Sequence, residues 1–108
     1  MSPIDDSPPI EVEFTSEFDR WLLDLRDIRA VARITDRLSR LAQGHWGDVK
    51  PVGEGVSELR LAYGPGYRLY ALKRGDASVI MLARGDKSSQ RRDIETAKRR
   101  ARELRDDR

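Results

Sequence analysis

The sequence predicts an α+β fold in which an N-terminal strand and a helix hairpin pack on a small antiparallel sheet, followed by a C-terminal helix. Apolar residues recur at helical spacing over residues 16–44, while β-branched residues and turn-forming glycines dominate residues 49–83. A chain of 108 residues has room for one domain with a modest core. We therefore expect a single domain over residues 10–105, after a flexible acidic and proline-rich leader over residues 1–9.

The first elements of the predicted fold are a strand and two helices. Apolar and acidic residues alternate over residues 10–14, which is typical of a half-buried strand. Ser16 is predicted to cap the next helix, because its hydroxyl can accept a hydrogen bond from a backbone N–H of the first turn. Asp27 is predicted to cap a second amphipathic helix that ends near Gly44. The two helices should therefore form a hairpin.

The second half of the chain predicts three strands, over residues 56–62, 67–73 and 78–83. The connections between these strands are too short for a parallel crossover, so the strands should be antiparallel. A final helix over residues 89–105 carries only a narrow seam of apolar residues. It is therefore expected to pack weakly on the sheet.

The strand register decides which side chains share a face, because a slip of one residue would turn every side chain over. When position 60 lies opposite position 68, Leu59 meets Leu69 on a core face beneath the helix hairpin. If position 70 then lies opposite position 80 on the next strand, Leu69 lies opposite Met81. The other face, which is expected to be open, carries Glu58, Arg60, Arg68 and Tyr70.

Arg60 and Arg68 are directly opposed in this register, and like charges in that position are destabilising. In one interpretation, Glu58 neutralises one guanidinium within an ordinary surface ion network. In the other, the two planar guanidiniums form a pocket that binds a phosphate. Three further bases are candidates to approach the same end of the sheet: Arg84 at the end of the third strand, and Lys50 and Lys87 in loops.

Composition and charge exclude several classes of function. The chain has no cysteine and one histidine, which excludes disulfides, thiolate metal sites and two-histidine zinc motifs, and we expect neither metal nor cofactor. It also has neither an apolar run long enough for a membrane span nor a secretory signal. We therefore expect a cytoplasmic protein. Residues 20–108 carry a net charge of +8. This excess indicates either a polyanion partner such as RNA or a solvated basic surface.

Three sequence runs carry a resemblance to a known family. They are GDVKPVGEGVSELR at residues 47–60, GPGYRLY at residues 64–70 and GDKSSQ at residues 85–90. Together they resemble the RelE/ParE superfamily of type II toxin–antitoxin toxins, specifically the HigB-like, phage-derived addiction module killer group. The resemblance covers residues 10–101. It implies a RelE-like fold and a small helix-turn-helix antitoxin that masks the basic surface and represses the shared operon.

The resemblance leaves the activity open between branches of the superfamily. RelE-like and HigB-like members cut mRNA in the ribosomal A site, whereas ParE-like members poison DNA gyrase. We expect a ribosome-dependent mRNA endoribonuclease that inhibits translation. The alternatives are a gyrase inhibitor without nuclease activity, and an inactive toxin that acts only as operon co-repressor with its antitoxin. The expected partners are the antitoxin, the ribosome and mRNA, and operator DNA through the antitoxin complex, with no membrane.

The resemblance also implies roles for individual residues. Arg68 matches the phosphate-binding arginine of the family, and Arg60 occupies a basic position on the preceding strand. Lys87 resembles the base after the last strand, and Lys50 resembles the lysine that enters the sheet. The chain departs from the family pattern near its C-terminal end, where Asp93 lies near the position of a tyrosine or histidine used by some members.

These residues suggest a metal-independent reaction in which the RNA 2′-OH attacks the adjacent phosphate. Arg60 and Arg68 are expected to stabilise the charge of the transition state. The proton of the 2′-OH would go to Glu58 or to a lysine, and Lys87 would protonate the leaving oxygen. Alternatively, Glu58 only braces Arg60. The expected substrate-binding residues are Lys50, Tyr70 and Arg84.

Overall fold

The computed structural model describes residues 7–106 and has the predicted α+β architecture. Its elements, in chain order, are β1 (Glu11–Phe14), α1 (Ser16–Asp24), α2 (Ile28–Ala42), β2 (Val49–Gly53), β3 (Val56–Arg60), β4 (Arg68–Arg74), β5 (Ser78–Gly85), a short 3₁₀ helix (Lys87–Ser89) and α3 (Gln90–Asp106). The strands form one five-stranded sheet in the order β1-β5-β4-β3-β2. Helices cover both faces of this sheet.

The leader predicted over residues 1–9 is described only in part. Residues 1–6 lie outside the described residues. Ser7 and Pro8 lie against Gly44, where an added Cβ would come 2.6 Å from the carbonyl oxygen of Pro8 and 2.9 Å from the Cβ of Ser7. The last residues of the predicted leader therefore contact the turn that follows α2.

The two N-terminal helices begin at side-chain caps. Asp27 caps α2 as predicted, since its Oδ1 accepts hydrogen bonds from the N–H groups of Arg29 and Ala30 at 3.0 and 3.1 Å. The predicted cap of α1 is wrong by one residue. Thr15 has the extended backbone of a cap and accepts from the N–H of Phe18 at 3.2 Å, whereas Ser16 is already helical.

The sheet differs from the predicted antiparallel sheet at both of its edges. At one edge, β1 pairs with β5 in parallel, from Glu11 opposite Ser78 to Phe14 opposite Met81. At the other edge, the unpredicted strand β2 pairs with β3 in antiparallel. Sequence analysis missed β2 because the residues of VKPVG include lysine, proline and glycine, which are depleted in strands.

The register between β3 and β4 is the predicted one. Arg60 lies opposite Arg68, and Leu59 lies opposite Leu69. The predicted register between β4 and β5 is wrong, because position 70 lies opposite Ala83 rather than position 80. Leu69 therefore does not meet Met81 directly.

A β-bulge causes part of this difference. Tyr70 lies opposite Ala83 and Ala71 opposite Met81, so Leu82 is the extra residue of β5. A bulge shifts the alternation of side chains beyond it. As a result, Arg84 lies opposite Leu69, on the sheet face away from Arg60 and Arg68.

The core has one layer on each face of the sheet. The hairpin face is the one beneath α1 and α2, and the α3 face is the one beneath α3. The buried side chains of the hairpin face include Phe18, Ile34, Leu38, Leu41, Leu59, Leu69 and Met81. Those of the α3 face include Val56, Tyr70, Leu72, Ile80, Leu82, Ala97 and Ala101.

Two expectations about the α3 face are wrong. The helix α3 does not pack weakly, because Ala97 and Ala101 are both 0% exposed against the sheet. Their short side chains allow the helix to come close to the strands, so a narrow apolar seam is enough. The face is also not open at Glu58 and Tyr70, which are both fully buried.

Candidate functional site

A cluster of polar side chains lies at one end of the α3 face, where β3, β4 and the start of α3 meet. We call it the arginine–glutamate cluster; its members are Glu58, Arg60, Arg68, Tyr70 and Gln90. The register places Glu58 opposite Tyr70 and Arg60 opposite Arg68. Strand pairing therefore brings four of the seven predicted site residues together.

The carboxylate of Glu58 is the buried centre of this cluster. It accepts a hydrogen bond from the Tyr70 hydroxyl at 2.9 Å and two from Nε2 of Gln90 at 2.9 and 3.1 Å. The Nε of Arg60 lies 3.4 Å from its Oε1. These donors compensate the cost of placing a carboxylate out of contact with water.

Tyr70 is held as a neutral hydrogen-bond donor. Burial, followed by the hydrogen bond to Glu58 and the negative charge of that carboxylate, raises the pKa of the Tyr70 hydroxyl well above its ordinary value. The phenol therefore keeps its proton at neutral pH. It fixes the carboxylate in place and does not act as a base.

The two arginines retain unused hydrogen-bonding capacity. The Nε atoms of Arg60 and Arg68 are buried, yet within residues 7–106 neither donates a hydrogen bond. The contact between Arg60 and Glu58 is an ion pair without hydrogen-bond geometry. The Arg60 side chain is 34% exposed, so its guanidinium is within reach of solvent and of a ligand. An anionic acceptor that reached the exposed part of both side chains would offset the repulsion between the two like charges.

A second carboxylate, that of Asp93, lies beside the cluster. Gly85 is opposite Arg68 on β5, and the Asp93 carboxylate occupies the space that a Cβ on Gly85 would fill. Asp93 also accepts a hydrogen bond from the hydroxyl of Ser89. The absence of a side chain at Gly85 is therefore what lets α3 place this carboxylate against the strand.

Lys50 and Lys87 lie at the margins of the cluster, and neither lies in a loop. Lys50 belongs to β2, opposite Glu58, and is exposed. Lys87 opens the 3₁₀ helix that Asp86 caps, and is also exposed. The backbone N–H of Lys87 donates to the carbonyl of Pro65 at 3.4 Å, which attaches this lysine to the turn before β4.

Arg84 does not join the cluster. Its guanidinium carbon lies 5.6 Å from the centre of the Trp21 ring, above α1 on the hairpin face. The prediction grouped it with Arg60 and Arg68. Arg84 does lie at their end of the sheet, opposite Leu69, but sharing their face would require unbroken alternation of side chains along β5. The bulge at Leu82 breaks that alternation.

Sequence analysis assigned no role to Gln90, although this residue donates to both oxygens of Glu58. The two residues are 32 positions apart, so no local pattern relates them. Gln90 lies in the first turn of α3, immediately after the short helix that Asp86 caps. This position is the sequence signal that the backbone of Gln90 is fixed in place.

The described residues show no arrangement for a metal ion and no membrane span. Over residues 7–106, no three histidine, cysteine, aspartate or glutamate side chains are grouped as metal ligands would be. None of the helices in the same part of the chain has the length and apolar character needed to cross a membrane.

Comparison with known proteins identifies a relative. No protein-family model matches the sequence. The chain is 45% identical over 95 residues to an uncharacterized protein of Haemophilus influenzae, and the alignment covers 88% of this chain and 96% of that protein. The chain therefore belongs to the same family as this Haemophilus protein.

Proposed function

We propose that the protein is the toxin of a type II toxin–antitoxin system and acts as a ribosome-dependent mRNA endoribonuclease of the RelE/ParE superfamily. The observation that supports this proposal best is the facing pair Arg60 and Arg68, whose partly exposed side chains can receive acceptors from a ligand. A phosphodiester supplies such acceptors, because its oxygens can bind two planar guanidiniums at once.

The reaction uses the substrate's own 2′-OH as nucleophile. The oxygen of the 2′-OH attacks the adjacent phosphorus, the bond to the 5′-oxygen breaks, and a 2′,3′-cyclic phosphate remains. Arg60 and Arg68 stabilise the negative charge that builds up on the phosphate oxygens. Guanidiniums stay protonated, so they do not serve as the base.

Glu58 acts in this proposal as a positioning residue. Its side chain is fully buried, and its oxygens already accept from Tyr70 and Gln90. A 2′-OH therefore has no free path to this carboxylate. The exposed ammonium of Lys87 then protonates the leaving oxygen, the proton of the 2′-OH passes to solvent water, and Lys50 contributes positive charge at the margin of the cluster.

The proposal includes the partners and location that the resemblance implies. A helix-turn-helix antitoxin binds the toxin, and their complex binds operator DNA. The substrate is mRNA on the ribosome, which places the active toxin in the cytoplasm. The net charge of +8 over residues 20–108 supports an RNA or ribosome surface as the site of action.

The first test is a short pulse of induced expression in bacteria, with transcriptome-wide mapping of new RNA 5′ ends and an assay for DNA breaks in the same culture. The wild-type chain should produce new 5′ ends within translated frames. Arg68→Ala should abolish them. Arg74→Ala is the matched control, because Arg74 lies on the same strand but at the opposite end, opposite Ser78.

The outcomes separate the rival activities. DNA breaks with unchanged RNA would replace the nuclease proposal with gyrase inhibition. Full cleavage by Arg68→Ala would contradict the phosphate role of this arginine. Expression without growth arrest, together with operator binding by the antitoxin complex, would identify a co-repressor.

A second variant tests the positioning role of Glu58. Glu58→Gln keeps the shape of the side chain and its carbonyl acceptor, so we expect the cleavage rate to stay within about tenfold of wild type, roughly 1.4 kcal/mol. A thousandfold loss with the fold intact would instead make Glu58 the proton acceptor.

A further inference from the structure

A small basic pocket lies beside the arginine–glutamate cluster, between α2 and the loop that follows β3. It has a volume of about 190 Å³. The charged and aromatic residues that line it are Arg33, Asp36, Arg37, Arg40, Arg60 and Tyr63, and the carbonyl of Arg60 accepts a hydrogen bond from Arg37. Four of these residues are arginines and one is an aspartate. The pocket shares Arg60 with the arginine–glutamate cluster, so the two sites are adjacent.

Two of these arginines are already committed to contacts within the protein. Arg37 donates to three backbone carbonyls, those of Trp46, Asp48 and Arg60. Burial lowers the pKa of Arg37, as expected for a guanidinium that has a structural role. Arg40 pairs with Asp36 at 3.2 Å on the surface of α2.

Arg33 is different, because it is held in place without an anionic partner. Its guanidinium carbon lies 4.8 Å from the centre of the Tyr63 ring. Among residues 7–106, no carboxylate or carbonyl accepts a hydrogen bond from Arg33. The ring beneath it is itself fixed, since Tyr63 stacks on Tyr67 with centroids 6.5 Å apart and its hydroxyl donates to Asp27 at 3.3 Å.

We propose that this pocket binds a second phosphate of single-stranded RNA, next to the one at Arg60 and Arg68, with Arg33 as its principal ligand. This inference rests on the proposed function. Successive phosphates of one strand carry successive negative charges, so a strand bound at the arginine–glutamate cluster presents its neighbouring phosphate to adjacent cations.

These observations favour RNA over an acidic segment of a partner protein. The pocket has room for one small anionic group rather than for a stretch of polypeptide. It is continuous with Arg60, and a planar guanidinium held over an aromatic ring is an arrangement that single-strand-binding proteins use for nucleotides.

The test is binding of a short fluorescein-labelled oligouridylate to the purified full chain, measured by fluorescence anisotropy over a series of salt concentrations. Arg33→Ala should weaken binding about tenfold at low salt. It should also reduce the slope of log affinity against log salt by about 0.7, the value for one phosphate contact on a single strand. Arg20→Ala removes the same charge from an exposed position on α1, outside the pocket, and should change both quantities much less.

Two tyrosine variants test whether the ring holds Arg33 in place. Tyr63→Leu leaves every charge unchanged but removes the ring, and should weaken RNA binding several-fold. Tyr63→Phe retains the ring and loses only the hydroxyl that donates to Asp27, so it should bind nearly as wild type.

The outcomes distinguish this inference from the proposed function. If the wild-type chain binds the RNA but Arg33→Ala behaves as Arg20→Ala does, the pocket does not bind phosphate, while the proposed nuclease stands. If the wild-type chain does not bind the RNA, the pocket's assignment to RNA is contradicted, whereas the proposed nuclease still stands because its substrate is mRNA on the ribosome. Equal weakening of oligoglutamate binding by Arg33→Ala would assign the pocket to an acidic protein and overturn its assignment to RNA.

Discussion

The two faces of the sheet bury different chemistry. The hairpin face buries large apolar side chains, among them Phe18, Ile34 and Leu69, against α1 and α2. The α3 face also buries apolar side chains, among them Leu72 and Leu82, but at one end it holds the buried carboxylate of Glu58 and two opposed arginines.

This difference separates stability from function within one small sheet. Apolar burial contributes about 25 cal/mol per Å² and needs no precise partner. Opposed guanidiniums with unused donors cost free energy in the isolated protein. Folding alone therefore does not explain the polar end of the α3 face. Apolar burial on the hairpin face offsets the free energy that this polar end costs.

The largest expected effect lies on the hairpin face. Leu69→Ala removes a side chain that is 0% exposed and should lower the free energy of unfolding by about 2–5 kcal/mol in urea denaturation. Leu23→Ala is the control, because Leu23 is 77% exposed and should change stability by less than about 0.5 kcal/mol. Equal effects of the two substitutions would contradict the assignment of Leu69 to the buried core of the hairpin face.

The next effect lies where α3 meets the polar end of the sheet. Gly85→Ala places a Cβ against the Asp93 carboxylate and should cost about 1–3 kcal/mol. Because the two residues are in contact, Asp93→Ala should relieve part of this cost in the double variant. Additive losses in a double-mutant cycle would show that the close approach of α3 at Gly85 does not restrict this position.

A smaller effect tests the buried hydrogen bond of the cluster. Tyr70→Phe removes the donor at 2.9 Å from Glu58 and should cost about 1 kcal/mol near neutral pH. The raised pKa of Tyr70 means that the folded state holds this proton more tightly than the unfolded state does. Its contribution is complete below the unfolded pKa of about 10 and is lost as the pH rises above that value.

The pH dependence of unfolding checks this sign. The stability difference between wild type and Tyr70→Phe should shrink as the pH is raised above about 10. A difference that grows with pH would mean that the tyrosinate, rather than the phenol, is the favoured form in the folded protein.

The smallest effect is expected on the solvent side of α3. Arg99 and Glu103 form an exposed pair at 3.9 Å, with side chains 60% and 66% exposed. Glu103→Gln should change the free energy of unfolding by less than about 0.5 kcal/mol. A larger loss would show that the exposed side of α3 contributes to stability as its buried side does.

The sequence allowed the arginine pair to be predicted, because alternation of side chains and a short connection fix the register between β3 and β4. The position of Arg84 was not predictable. Residues 79–83 form an unbroken apolar run, which carries no sign of the bulge at Leu82. A long-range contact such as that of Gln90 with Glu58 also leaves no local pattern.

The burial of the α3 face was underestimated for a related reason. Alanine contributes little to an amphipathic pattern, so the seam of α3 indicated weak packing. In the structure, Ala97 and Ala101 are 0% exposed in the core layer that also contains Tyr70, and Gln90 at the start of α3 donates to the buried Glu58. Side-chain size, rather than the number of apolar residues, decides the depth of this contact.

The most direct test of the account is one variant measured for both stability and activity. Arg68→Met removes a charge that faces Arg60 and a buried donor without an acceptor, and retains a side chain of similar length. We expect its free energy of unfolding to equal or exceed that of wild type, and its cleavage of mRNA on translating ribosomes to be lost. A variant that is clearly less stable, or one that cleaves mRNA as wild type does, would contradict the claim that the arginine pair serves phosphate binding rather than folding.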